Sequence, residues 1–188
     1  MSKLYTFGEM TQLLNAKAEN ISENSLVEGF SIDSRTLKTG DLFFCIKGEN
    51  TDGHRYISQA IERGACGVVA IRGKLSETLK NNDFPRILVP DPNRALREWA
   101  ADVRKQFSGK VLAITGSNGK TSTKDILAGL CRFVNPRSYA TPGNYNNFIG
   151  VSLTLLGATP EAKWWVIEIG TNQFGEIAEL SKIVRPTA

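Results

Sequence analysis

The chain has 188 residues, 41% of them hydrophobic and 22% charged. That balance belongs to a soluble globular protein able to bury a core in one large domain or two small ones. A net charge of +4, with Lys and Arg dispersed, does not indicate nucleic-acid binding and suits small anionic substrates. No stretch is apolar for long enough to enter a membrane, and Met1 to Asn15 lacks the apolar segment of a secretory signal. Cys45, Cys66 and Cys131 are odd in number, far apart and set in apolar segments, so reduced buried thiols of a cytoplasmic protein are expected.

Thr6-Phe7-Gly8-Glu9 reads as a capping box opening a short helix with Met10, Leu13 and Leu14 toward a core. Glu19 to Ser25 reads as a loop, Leu26 to Ile32 as one strand, and Leu42 to Ile46 as a compact apolar strand after the turn Lys38-Thr39-Gly40-Asp41. A helix carrying Ile57, Ala60 and Ile61 ends at Gly64, and Cys66 to Ile71 is the next buried strand. This βαβ rhythm predicts a small α/β domain. Ile87 to Val89 closes it, and Pro90-Asp91-Pro92-Asn93 opens a helix with Leu96, Trp99, Ala100, Val103 and Phe107 on one face. That helix is expected to bridge two domains, residues 1–88 and 89–188.

Val111 to Ile114 has the composition of a buried strand. Gly116, Ser117, Asn118, Gly119, Lys120, Thr121 and Ser122 follow, and then Ile126, Leu127, Leu130 and Phe133 at helical spacing. Strand, glycine turn, Lys-Thr and helix make a phosphate-binding loop. Its glycines let backbone N–H groups face an anion at a helix N-terminus, Lys120 adds a mobile charge, and the Thr121 hydroxyl can ligate Mg2+. The loop is short: two residues separate Gly116 and Gly119 where the general pattern has four, and Ile114 stands in place of the usual first glycine. Arg137 to Ala140 reads as a short strand, Phe148 to Leu156 as a helix, Trp164 to Gly170 as an apolar strand, and Gly175 to Val184 as a last amphipathic helix. Two further strands are few for a parallel sheet, and Pro186-Thr187-Ala188 suits the lead-in to another. The chain is expected to be an incomplete portion of a longer protein.

Glu168 lies near the carboxyl end of an apolar strand, where open α/β sheets bind ligands, and a metal role there is favoured over a strand-end ion pair. Asn144, Asn146 and Asn147 either contact a substrate or only form a turn, and the chemistry alone leaves that open. Ser31, Ser34 and Arg35 can bond a base, ribose or diphosphate, although a capped turn with a surface arginine is the commoner meaning of such residues. His54 is read as a helix-start residue and not as a catalyst.

The loop Thr115 to Ser122 resembles the ATP loop of the Mur ligases and of folylpolyglutamate synthetase. Three further stretches carry the resemblance to Mur ligases along nearly the whole chain. They are Ser31-Ile32-Asp33-Ser34-Arg35 with Gly40-Asp41-Leu42-Phe43, then Asp52-Gly53-His54, and then the pair Gly143-Asn144-Tyr145-Asn146-Asn147-Phe148-Ile149-Gly150-Val151 and Glu168-Ile169-Gly170-Thr171-Asn172-Gln173-Phe174-Gly175-Glu176-Ile177. The last two are similar to the substrate loop and metal-binding strand of those members that add D-alanyl-D-alanine to UDP-N-acetylmuramoyl-tripeptide. Gln173 departs from the histidine usual there.

The resemblance implies an N-terminal α/β domain for the UDP end of the substrate, with Ser31, Ser34 and Arg35. A P-loop α/β domain for Mg2+ and ATP follows, incomplete at its C-terminus. In it Gly116 to Ser122 hold the nucleotide, Thr121 and Glu168 the metal, Lys120 and Glu168 act in catalysis, and Asn144, Asn146 and Asn147 meet the substrate. It further implies a monomeric ATP-dependent carboxylate–amine ligase of the bacterial cytoplasm, working through an acyl phosphate, with this chain alone unable to turn over. A different Mur ligase, a folylpolyglutamate synthetase-like ligase and an inactive UDP-sugar-binding module are the alternatives.

Overall fold

Hydrophobic strands and amphipathic helices alternate along the computed structural model, which describes residues 4–188 apart from Pro160 and Asn172 and leaves aside the side chains of Thr78 and Lys80. It divides into two units, Leu4–Glu98 and Trp99–Ala188. The first begins with β1 (Tyr5–Thr6), α1 (Phe7–Leu13), β2 (Lys17–Glu19), β3 (Leu26–Val27), β4 (Gly29–Ser31) and β5 (Asp41–Phe44). A 3-10 turn at Gly53–Tyr56 leads into α2 (Ile57–Glu62). Then come β6 (Gly67–Ala70), α3 (Glu77–Lys80) and β7 (Arg86–Leu88), and α4 (Pro92–Gln106) runs across the division, its residues from Trp99 onward belonging to the second unit. Both halves of the expected capping box form: Thr6 Oγ1 accepts the Glu9 N–H at 3.1 Å, and Glu9 Oε2 accepts the Thr6 N–H at 3.0 Å.

A five-stranded sheet in the order β2-β7-β6-β5-β4 is parallel except for the β2–β7 pair. Phe43, Phe44, Val68, Val69 and Ile87 are fully or almost fully buried along it, as expected of parallel strands covered on both faces. The single strand expected over Leu26 to Ile32 is two. Val27 pairs with Tyr5 in a small antiparallel ribbon, whereas Gly29 pairs with Asp41, so the chain changes sheets at Glu28. β2 has too little apolar character to announce itself. It is held by register and charge, with Glu19 opposite Arg86 and the Arg86 Nε–Glu19 Oε2 pair at 2.9 Å.

The second unit comprises β8 (Lys110–Ile114), α5 (Lys120–Val134), β9 (Ser138–Ala140), α6 (Phe148–Leu156), β10 (Trp164–Glu168) and α7 (Glu176–Val184). Its parallel sheet runs β8-β10-β9. Trp165, Val166 and Ile167 at its centre are almost wholly buried, and Phe107 stacks on Trp165 with ring centroids 3.7 Å apart. Past α7, Thr187 and Ala188 run along β8: the Thr187 N–H donates to Val111 O at 2.8 Å, and the Ala113 N–H to Ala188 O at 2.9 Å.

Helix α5 departs from the simplest expectation for its apolar residues. Lys124, Ala128 and Cys131 are buried with Leu127 partly so, while Ile126, Leu130, Phe133 and Val134 are exposed. The sheet covers the stripe at 124, 127, 128 and 131, the i, i+3, i+4, i+7 face, and leaves the neighbouring stripe outside. The three thiols are free; Cys45 and Cys131 are buried, and burial pushes Cys66 up to about 11.

Asp52 organises the connection after β5. Its carboxylate accepts the His54 N–H at 3.1 Å, lies 2.5 Å from His54 Nδ1, and is 2.5 Å from Lys74 Nζ. His54 Nε2 accepts the Ile71 N–H at 2.9 Å, so the ring proton sits on Nδ1 and is given to Asp52. His54 thus serves structure, as read from its place at a helix start. Burial raises the Asp52 carboxyl, but hydrogen bonds from Lys74 and His54 outweigh it and hold the group well below the usual carboxylate range. A carboxyl lowered on folding stabilises above its unfolded value of about 4 and loses that contribution as pH falls toward the folded value. Asp52→Asn is therefore expected to cost about 1–3 kcal/mol at pH 7. In urea titrations its deficit against the wild type should shrink as the pH is lowered below about 4.

Candidate functional site

The strand β8 delivers the chain to its carboxyl end at Ile114, and α5 starts six residues later at Lys120. Gly116 at φ +151° and Gly119 at φ +74° make the turn between them in conformations that side-chain-bearing residues rarely adopt. Gly119 caps α5 without a side-chain hydrogen bond. The first-turn N–H groups at Lys120, Thr121 and Ser122 lie at the positive end of a 15-residue helix, where an anion can meet them. The Lys120 ammonium donates to Gly116 O at 2.9 Å and Ser117 O at 3.4 Å, which holds its charge over the loop.

These residues line a cleft of about 320 Å³ formed by Ser117, Asn118, Gly119, Lys120, Thr121, Ser122, Asn146 and Glu168. Glu168 ends β10 and is fully buried. Its Oε1 accepts Asn146 Nδ2 at 2.7 Å, whereas its buried Oε2 has no hydrogen-bond partner among the described residues. A buried carboxylate oxygen without a partner is costly, and a cation at the cleft would satisfy it. No group of three or more His, Cys, Asp or Glu side chains gathers to hold a metal among the described residues. Mg2+ does not need one, since it is commonly bound through one or two carboxylates plus substrate phosphates and water. The residues present therefore fit a nucleotide carrying its Mg2+.

The three asparagines part company. Asn146 faces Glu168; Asn147 Oδ1 accepts the Gly150 N–H at 2.8 Å and caps α6; Asn144 is exposed, its carbonyl accepting the Asn146 N–H at 2.7 Å. Gln173 is exposed, its N–H donating to Thr171 Oγ1 and Glu176 Oε2. Asn172 of the same motif lies outside the described residues.

The first unit has its own cleft of about 510 Å³, lined by Ile32, Asp33, Ser34, Arg35, Ile46, Thr51, Gly53, Tyr56 and Gln59. Ser34 and Arg35 line it, while Ser31 shapes the turn beside it through its Oγ, which donates to Asp33 O at 2.9 Å. Ser34 Oγ donates to Gln59 Oε1 at 2.6 Å. Arg35 makes a two-pronged pair with Asp33, at 2.7 and 3.0 Å, and its hydrogen bond holds the Asp33 carboxyl below the usual range. The guanidinium remains 78% exposed and open to an anion. Thr51, Tyr56 and Gln59 also line the cleft and carry no signal in the sequence, where only the apolar face at 57, 60 and 61 marks the helix.

Two family models match the chain: the Mur ligase family catalytic domain over residues 26–104 and the Mur ligase middle domain over residues 114–188. The UDP-N-acetylmuramoyl-tripeptide–D-alanyl-D-alanine ligase of Haemophilus influenzae is 38% identical over 191 aligned residues, covering 100% of this chain and 40% of that protein. A crystal structure of MurF from Acinetobacter baumannii superposes with a TM-score of 0.86 at 31% identity, over 98% of this chain and 40% of that one. The MurF ligase of Thermotoga maritima in complex with ADP gives 0.74 at 34% identity, over 85% and 36%. The chain spans about 40% of the length of these relatives.

A carboxylate buried with a bare oxygen trades stability for binding. Glu168→Gln is expected to raise the unfolding free energy by on the order of 1 kcal/mol, visible as a higher melting temperature, while weakening Mn2+–ATP binding. A variant that melts lower than the wild type would count against this account of the carboxylate.

Proposed function

Because this chain belongs to the Mur ligase family, we propose that it is the substrate- and nucleotide-binding part of an ATP-dependent ligase of peptidoglycan precursor synthesis. The reaction is the joining of D-alanyl-D-alanine to UDP-N-acetylmuramoyl-tripeptide. The observation that carries this reading is the cleft in which the glycine loop, Lys120 and Thr121 share a wall with the half-satisfied carboxylate of Glu168. Support for ATP as the nucleotide comes from the ADP named with the Thermotoga relative.

In this reading the N–H groups of the Gly116 to Ser122 loop cradle the phosphates, and Lys120 turns from its carbonyl contacts toward the terminal phosphate. Thr121 and Glu168 would hold Mg2+, which supplies charge neutralisation at the phosphate being transferred. The tripeptide carboxylate would take the γ-phosphoryl group of ATP with ADP as the leaving group, and the amine of D-alanyl-D-alanine would then displace phosphate from the acyl phosphate and lose a proton to form the amide. Ser34 and Arg35, with Thr51, Tyr56 and Gln59, receive the UDP end in the first unit. Its mix of apolar walls, amide and guanidinium matches a nucleobase attached to a diphosphate. Residues 1–88 and 89–188 are assigned these two tasks. The protein works as a monomer in the bacterial cytoplasm on small molecules and binds no nucleic acid.

Calorimetric titration of the chain with UDP-N-acetylmuramoyl-tripeptide should give saturable binding that UDP displaces. Arg35→Ala should weaken it about tenfold, the loss of a charged hydrogen bond. A demonstrably folded chain that binds neither compound would count against this substrate.

A further inference from the structure

Four residues beyond Lys120 on α5 stands a second lysine, Lys124, whose side chain is only 4% exposed. Lysine is rarely buried without partners. Here the ammonium has three: Thr141 O at 3.1 Å, Gly143 O at 3.2 Å and Asp125 Oδ1 at 2.7 Å, one for each of its donors. The two carbonyls flank Pro142 at the start of the 141–147 segment. They are backbone groups, so the charge acts on the path of the chain.

The same segment is fastened on its other side to β10. Thr141 Oγ1 accepts the Glu168 N–H at 2.9 Å, Asn146 Nδ2 donates to Glu168 Oε1 at 2.7 Å, and Asn146 O accepts the Gly170 N–H at 2.8 Å. Gly170 leaves the room for this contact, since a Cβ there would lie 2.7–3.0 Å from the Asn146 side-chain atoms. A line of hydrogen bonds therefore runs from the P-loop helix, through Lys124 and the 141–147 segment, to both the backbone and the carboxylate of Glu168.

We propose that Lys124 is a positioning residue for the metal–nucleotide cleft. By seating the 141–147 segment it makes Asn146 hold one oxygen of Glu168 and leaves the other for the cation. The proposal rests on the reading of that cleft as a Mg2+–ATP site. It assigns Asn146 to the orientation of Glu168 in place of direct contact with the peptide substrate. Groups that orient a metal ligand typically change metal affinity by about 10- to 100-fold when removed.

The test compares the chain with Lys124→Met, Asn146→Ala, Glu168→Gln and the Lys124→Met/Glu168→Gln double substitution. Mn2+–ATP binding is read by water-proton relaxation, and amide exchange at Glu168 and Gly170 by NMR. Lys124→Met should weaken Mn2+–ATP about tenfold or more and speed exchange at Glu168 and Gly170, with Val166 and Ile167 unchanged. The double substitution should bind no more weakly than Glu168→Gln alone. Unchanged affinity in folded Lys124→Met overturns the proposal, as does a full additional loss in the Glu168→Gln background. If Lys124→Met does not fold, the half-buried Asn146→Ala decides: lowered affinity with the wild-type melting temperature supports the line of contacts, and unchanged affinity overturns it. A wild-type chain that does not bind Mn2+–ATP overturns the metal reading of the cleft and the positioning role together. Wild-type binding unaffected by Lys124→Met overturns the positioning role alone.

Discussion

Parallel pairing of β8 with β10, in register from Lys110 opposite Trp164 to Ile114 opposite Glu168, is the constraint on which the second unit depends. Parallel strands end on the same edge, so a glycine turn leaving one and a carboxylate closing the other arrive side by side though far apart in sequence. The apolar residues of β10 secure that register. Trp165, Val166 and Ile167 alternate into clusters on the two faces of the sheet, and a slip of one residue would exchange those faces. The position of Glu168 is thus set by the burial of its neighbours.

That placement has a local cost. A fully buried carboxylate and a buried ammonium stand at the same sheet edge, neither packed as an apolar residue would be. Burying charges is unfavourable by several kcal/mol each unless hydrogen bonds offset it. Lys124 is fully supplied with acceptors, while Glu168 is half supplied. The asymmetry separates a charge whose donors are all engaged from one that keeps an oxygen without a partner among the described residues. Stability elsewhere in the unit comes from ordinary packing, such as Phe107 on Trp165, and from Arg104, which donates to Val184 O and Arg185 O where α7 ends.

The two clefts differ in the kind of chemistry they hold. In the second unit backbone N–H groups, one ammonium and one carboxylate face a small space, a setting for phosphate and a hard cation. In the first, Ile32 and Ile46 share a larger space with Tyr56, Gln59 and the Arg35–Asp33 pair, so apolar walls stand beside a charged one. The Asp52–His54–Lys74 cluster sits beside it as a brace, with each polar atom of the histidine ring engaged.

Local signals in the sequence determined the elements that carry their own pattern. The capping box at Thr6, the glycine-marked turn into α5, the unbroken apolar run of β10 and the helix from Phe148 to Leu156 were all legible, because capping, φ preference and periodicity act within a few residues. The glycine turn from Gly116 to Ser122 and the place of Glu168 at the end of its strand were legible for the same reason, whereas their meeting at one end of the sheet depends on the β8–β10 pairing. Tertiary structure alone decided what depends on partners distant in the chain. β2 exists because β7 and Arg86 receive it. The 26–32 stretch splits because two different sheets claim it. Ile126, Leu130, Phe133 and Val134 stay exposed because the sheet covers only the adjacent stripe of α5. Three asparagines of equal chemistry became a turn residue, a carboxylate holder and a helix cap, since each role is set by which group lies opposite, and no pattern along the chain records that.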